Sequence, residues 1–379
     1  MSLLPNPTAT ITEHFAKLKD PRVDRTKRHL LTDILTITIC AVICGADSWT
    51  DVEDFGLCKE RWFKTFLKLP HGIPSHDTFG RVFAALDSEM FSACFTQWIN
   101  AVCEISHGSL VAIDGKTLRH SFDLGSQKAA IHMVSAWVEN NQLVWGQIKT
   151  EEKSNEITAI PKLLEMLALE GCIVTIDAMG CQKKIAEAII EKKADYVLSL
   201  KGNQSTMAEE VQLFFDGGLK TNWKDIPHDV HQTINKGHGR IETRRCIVTS
   251  DVDWFVDLQE WKGLKSFGMV ESTRQIGDAI TRENRFYISS LSGLDAKTFA
   301  QAVRGHWGIE NKLHWTLDMA FREDESRVRK DHAAANLSLF RRIALNLLKQ
   351  ENTRKRGING KRKICGWDEN YLLKVIGIL

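Results

Sequence analysis

The chain has 379 residues, 43% hydrophobic and 26% charged, which is enough to bury a sizeable core and argues against a disordered or fibrous chain. Fifty basic residues against 48 acidic ones leave a formal net charge of +2. No global basic excess marks a polyanion partner, so any such surface has to come from local clustering. Nine scattered cysteines without a Cys-x-x-Cys pair argue against a zinc knuckle or a disulfide framework and fit a reduced, cytoplasmic setting.

Residues 1–12 read as a loose leader that lacks the basic start and apolar block of a signal peptide. From Glu13 to about Ser106 the pattern is helical. Leu30, Ile34, Ile37 and Ala41 fall at helix spacing, and Trp62, Phe63, Phe66 and Leu67 repeat it. The most apolar window, Ile34 to Ala46, is too short to span a bilayer and reads as a core helix, so no membrane association is expected. Pro74 and Ser75 supply a helix start. The stretch that follows fits either the second helix of a helix-turn-helix pair, with Arg81 outward, or a plain helical bundle.

Leu110 to Thr117 is an apolar run that ends on Asp114-Gly115-Lys116, which reads as a buried strand presenting an acid at its end. Ile131 to Val138 and Gln142 to Ile148 are rich in strand formers and are joined by Glu139-Asn140-Asn141, a hairpin. Glu156 to Leu169 reads as a helix and Cys172 to Asp177 as a second buried strand closing on an aspartate. Ile185 to Lys193 is a helix and Tyr196 to Leu200 a third buried strand, ending at Lys201. This order predicts an α/β layer with parallel strands, whose chemistry gathers where the strands deliver their carboxyl ends. Asp114 and Asp177 occupy comparable ends. Two converging carboxylates are costly unless a divalent cation neutralises them, so Mg²⁺ or Mn²⁺ is the economical explanation of the pair.

Residues 205–296 read as a mostly β insertion. A polar helix lies around Met207 to Phe215, short strand-like runs follow at Arg245 to Thr249, Gly268 to Glu271 and Arg285 to Ser289, and His238 to Arg245 reads as a basic loop able to face phosphate. From Lys297 to Phe321 a helix places Glu310 at the edge of its apolar face, turned toward the sheet. Either a shared metal or a nearby arginine, Arg304 or Arg322, meets the need of that carboxylate. His306, Glu310 and His314 also stack at i, i+4 and i+8. Two basic clusters, around Arg22 to His29 and from Arg354 to Lys363, are explained as well by solvated faces as by a polyanion.

Five ordered segments resemble the DDE transposases of bacterial insertion sequences, above all the H-repeat-associated group. They are Ala112 to Arg119, Lys153 to Ile157, Val174 to Gln182, Tyr196 to Gln204 and His306 to Trp315. The resemblance implies an RNase H-like core, a mixed sheet flanked by helices, with a helical N-terminal domain and a mostly β insertion before the last catalytic helix. It implies boundaries at 1–106 (helical, DNA-binding), 107–204 and 297–348 (catalytic core), 205–296 (insertion) and 349–379 (basic tail). It implies that Asp114, Asp177 and Glu310 hold two Mg²⁺ ions, with Mn²⁺ as a substitute, for in-line displacement at phosphorus. Lys116, Arg119, Lys201 and Arg240 are then the phosphate contacts. The implied partners are DNA, as terminal inverted repeats and target, and a second copy of the chain on DNA. No nucleotide cofactor is implied, and no Gly-x-x-x-x-Gly-Lys-Ser/Thr loop is present. The alternative is a catalytically silent DNA-binding relic. Related transposases carry a tyrosine, an arginine and a lysine where Val303, His306 and Leu317 stand here, so hairpin-forming chemistry does not follow.

Overall fold

A computed structural model describes residues 14–102, 107–122, 129–150, 155–237 and 239–377. Helices α1 (Leu31–Cys44), α2 (Trp49–Cys58), α3 (Glu60–Phe63), α4 (His76–Ala85) and α5 (Ser88–Val102) come first. Strands β1 (Leu110–Thr117), β2 (His132–Val138) and β3 (Leu143–Lys149) follow, then α6 (Glu156–Met166), β4 (Ile173–Ile176), α7 (Lys183–Glu191), β5 (Asp195–Leu200) and α8 (Ser205–Lys220). Strands β6 (His228–Gly237), β7 (Arg240–Thr249), β8 (Ser266–Ile276) and β9 (Ala279–Ser289) precede α9 (Ala296–Gly308). A π-helical turn (Ile309–His314), α10 (Trp315–Phe321), α11 (Ala333–Gln350), α12 (Ile358–Trp367) and α13 (Glu369–Val375) complete the chain. The nine strands form a mixed sheet in the order β3-β2-β1-β4-β5-β9-β8-β7-β6. The mixed sheet, flanking helices and helical N-terminal region agree with the expected fold class. Among the described residues no single helix is long and apolar enough to cross a membrane.

The chain divides into two compact units, one of residues 1–105, 115–155 and 310–379, the other of residues 106–114 and 156–309. The first is built around α11, whose side chains from Ala333 to Leu348 are all buried. Phe340 packs its ring against Phe83 of α4 and Phe91 of α5. Asn346 accepts the Val144 N–H at 2.9 Å and donates to the Val144 carbonyl at 2.8 Å, so the free edge of β3 is closed by a side chain that mimics a strand. Ser48 and Asp51 form a capping box at the start of α2. At α4 the expected cap is replaced. Ser75 turns its hydroxyl to Thr78, and Glu53 of α2 accepts the first helical N–H, from His76, at 2.8 Å.

In the second unit β1, β4 and β5 run parallel, and β9 joins β5 antiparallel. Each parallel strand is a continuous apolar run because both faces are covered. Helix α9 packs Ala296, Phe299, Ala302 and Val303 onto Cys246, Val248, Val270 and Tyr287 of the sheet. The Phe299 ring seats over Gly268, where an added Cβ would meet ring carbon Cζ at 2.3 Å.

The structure corrects two expectations here. The short runs of the insertion are strands of ten or eleven residues, and β6 was not foreseen at all. The basic loop is also mostly strand, since β7 begins at Arg240 directly after the turn at Gly239, while His238 lies outside the described residues. The outer halves of these strands carry polar residues on both faces, so the apolar alternation that marks a strand is missing.

Candidate active site

Asp114 is the last residue of β1 that belongs to the second unit, and Asp177 is the residue after β4. The register pairs Ile113 with Ile176, so the two aspartates stand side by side, one residue further on, on the same face of the sheet. That face is the one covered by α9, because Ala112 and Thr175 share the row below and Thr175 Oγ1 lies 3.1 Å from His306 Nδ1 of α9. Both aspartates are half-buried. The Asp177 side chain caps a 3₁₀ turn, its Oδ1 accepting the N–H of Met179 at 3.1 Å and of Gly180 at 3.4 Å. Burial raises the Asp177 pKa, and the charge of Glu156, the first residue of α6, raises it further. The two backbone donors and the positive charge of Lys201 oppose this without cancelling it. Lys153 and Ser154, which precede Glu156 in the resembling segment, lie outside the described residues.

His306 is held neutral, since burial lowers its pKa to about 4. The residue therefore supplies a hydrogen bond to β4 and no charge.

Glu310 begins the first unit's last segment and is exposed, a correction to the expectation of a carboxylate turned inward. The helix from Lys297 to Phe321 is not uniformly α. Ile309 to His314 is a π turn, which hydrogen-bonds i to i+5, so the 100° per residue assumed for its faces does not apply there. Ile309, Leu313 and Leu317 are fully buried and Glu310 points to solvent. Each arginine offered as its alternative partner has acidic or basic neighbours within its own unit. Arg322 pairs with Glu325 and reaches Asp47, while Arg304 lies beside Arg244, Glu242 and Arg240. Within each unit taken by itself, no three His, Cys, Asp or Glu side chains of the described residues group closely enough to hold a metal ion.

The four expected phosphate contacts differ in their surroundings. Lys116 is buried, its ammonium paired with Asp318, with Glu323 at 3.2 Å and with Asp324 at 3.4 Å. This corrects its assignment, because a cation enclosed by three acids is a structural ion pair and has no surface to offer a phosphate. Arg119 is exposed with one contact to Asp324 at 3.2 Å. Lys201 is exposed beside Asp177. Arg240 is exposed and binds Glu242 at 3.0 Å.

The sequence reading also missed a buried network. Glu323 accepts from Arg342 Nη1 at 2.8 Å and from the Ser338 hydroxyl at 3.0 Å. Burial opposes its ionisation, but Arg342, Lys116 and Arg341 outweigh this and hold its pKa at about 2. The Glu-x₁₄-Ser-x₃-Arg spacing has no periodic signature, which is why nothing in the sequence announced it.

A family model described as "Transposase DDE domain" matches residues 79–347. The chain belongs to that family. A second model, "DDE_Tnp_1-associated", matches residues 12–99 of this DDE transposase. It is 44% identical over 371 residues to "Putative transposase YncI" of Escherichia coli O157:H7, covering 97% of this chain and 94% of the relative. It is 42% identical over 371 residues to "H repeat-associated putative transposase YhhI" of Escherichia coli K12, covering 97% of each. The same coverage and identity hold for "Putative protein YbfL" of that strain. The expected kinship with the H-repeat-associated group is borne out.

Proposed function

We propose that this insertion-sequence transposase cuts DNA phosphodiester bonds at the ends of its element and joins the freed ends to target DNA, with Asp114, Asp177 and Glu310 as its catalytic acids. The observation that carries this reading is the side-by-side placement of Asp114 and Asp177 on adjacent parallel strand ends, where ligands of open α/β sheets collect.

A divalent metal fits the pair Asp114 and Asp177. The donors are all carboxylate oxygens, the set preferred by Mg²⁺ and Mn²⁺. Burial, and after it the charge of Glu156, disfavour the Asp177 carboxylate ion, and a bound cation relieves both. When bound, a pair of such ions supplies Lewis-acid stabilisation at both the attacking and leaving oxygens of an in-line displacement.

The chain's own residues do the rest. Two backbone N–H groups fix the Asp177 carboxylate through Oδ1, which orients it toward the ligand. His306, neutral and hydrogen-bonded to Thr175, locks α9 onto β4 and so holds the roof of the acid pair. Lys201 binds the phosphate next to the cleaved bond, and Arg119 and Arg240 bind phosphates further along. The N-terminal region, residues 1–106, binds the element's ends. In the first reaction water attacks phosphorus and the bond to the 3′-oxygen breaks. In the second, the 3′-hydroxyl so released attacks a target phosphate, and the target strand's 3′-oxygen leaves.

The test is nicking of a supercoiled plasmid that carries the element's end, with Mg²⁺ and with the metal chelated. Mg²⁺-dependent nicking is expected. Binding of the plasmid without any nicking would instead identify a silent DNA-binding relic.

A further inference from the structure

Beyond the apolar patch that α9 covers, the same face of the sheet turns strongly basic. On β7, Arg240, Glu242 and Arg244 alternate onto the face of Cys246 and Val248, which pack against α9. Glu242 is gripped from both sides, by Arg240 Nε at 3.0 Å and Arg244 Nη2 at 2.5 Å. Arg304, on α9, lies within electrostatic reach of this cluster, and burial together with Arg244 lowers its pKa. Among the described residues Arg244 Nη1 is buried with no hydrogen-bond acceptor. The register brings Arg274 of β8 opposite Glu242. On β9, Arg285 shares the face through its pairing with Val270 and lays its guanidinium 4.8 Å over the Trp307 ring of α9.

Five arginines against Glu242 and Glu283 leave this face in positive excess, and a buried guanidinium N–H without an acceptor is costly to maintain. One carboxylate cannot satisfy two forked donors and also balance the third charge beside them. A phosphate can, because its oxygens accept in the same bidentate geometry.

The position is informative as well. The row of Asp114 and Asp177 continues across the register through Ser199, Tyr287, Gly268 and Val248. Arg244 lies four residues beyond that row, in the direction in which β1, β4 and β5 run, and four strands to the side of β4. At about 3.3 Å per residue and about 4.8 Å per strand, that is roughly 13 Å forward and roughly 19 Å across. Both fall within one duplex turn of about 34 Å.

We propose that Arg240, Arg244 and Arg304, organised by Glu242, form a seat for a backbone phosphate of duplex DNA that flanks the cleaved bond. Its relation to cleavage rests on the reading of Asp114 and Asp177 as catalytic acids. The seat itself does not. Glu242 serves as the resident anion that keeps the arginines splayed and gives way when phosphate arrives.

The test uses the full chain and a fluorescein-labelled duplex of arbitrary sequence, with binding followed by anisotropy across a salt series. Arg244→Gln combined with Arg304→Gln should weaken binding and lower the steepness of log K against log salt by about 1 per arginine, and lysine at both positions should restore the steepness. Glu242→Gln, which keeps the shape and removes the charge, should tighten binding. Wild-type affinity and slope in the double glutamine variant, or unchanged or weaker binding in Glu242→Gln, would overturn the seat. The single Glu242→Gln variant decides alone if the double variant does not fold. A wild type that binds no duplex even at low salt would overturn the seat and the DNA-processing reading together, whereas wild-type binding without the effects of these variants overturns the seat alone.

Discussion

Asp177 and Glu323 are both acids under burial, and their neighbours drive them to opposite states. Asp177 has Glu156 beside it and a raised pKa, an arrangement that suits a cation. Glu323 has Arg342, Lys116 and Arg341 around it and a pKa of about 2, which makes it a structural anion. Replacing Glu323 with Gln leaves Arg342 buried without its counter-charge, while Lys116 keeps Asp318 and Asp324, and the expected loss at neutral pH is about 3–5 kcal/mol. The folded pKa lies below the ordinary value of 4.5, so the stabilisation is complete above that value and disappears as pH falls through about 2. Urea unfolding should therefore show the gap between wild type and Glu323→Gln closing across that window. A gap that stays constant down to pH 2 would contradict the assignment.

At the scale of elements, two contacts hold the layers in register. Gly268→Ala drives a Cβ into the Phe299 ring, and overpacking of this kind costs about 1–3 kcal/mol. Thermal melts should show that loss, with partial recovery when Phe299 is changed to Leu in the same chain. Asn346→Ala strips both partners from Val144 at the edge of β3, at roughly 1–3 kcal/mol for each backbone group left unsatisfied. Equal stability of wild type and Asn346→Ala in urea would show that the edge needs no clamp. The buried strands β1, β4 and β5 were legible in the sequence because a strand covered on both faces is a continuous apolar run. Strand β6 was not, since an edge strand wetted on both faces has no apolar period to read. The place of Glu310 was misread for a different reason. Ile309, Leu313 and Leu317 are spaced as on an ordinary helix, so the sequence gives no sign of the π turn that sends the glutamate to solvent.

At the scale of the whole molecule, family membership, the adjacent strand-end aspartates and the basic face form one account of a DNA-processing enzyme. The family was legible because five segments in fixed order carry it, and both aspartates were legible as the ends of apolar runs. Lys116 was misassigned because its sequence context, a lysine after a strand-end acid, is the same whether the ammonium meets phosphate or Asp318, Glu323 and Asp324. Only the fold distinguishes the two. The central claim is that Asp177 does chemistry rather than hold the fold. It is tested most directly by comparing wild type and Asp177→Asn for Mg²⁺-dependent nicking of DNA carrying the element's end, with duplex binding measured on the same preparations. The account predicts that Asp177→Asn binds DNA as the wild type does and does not nick it. Equal Mg²⁺-dependent nicking by the two proteins would contradict it.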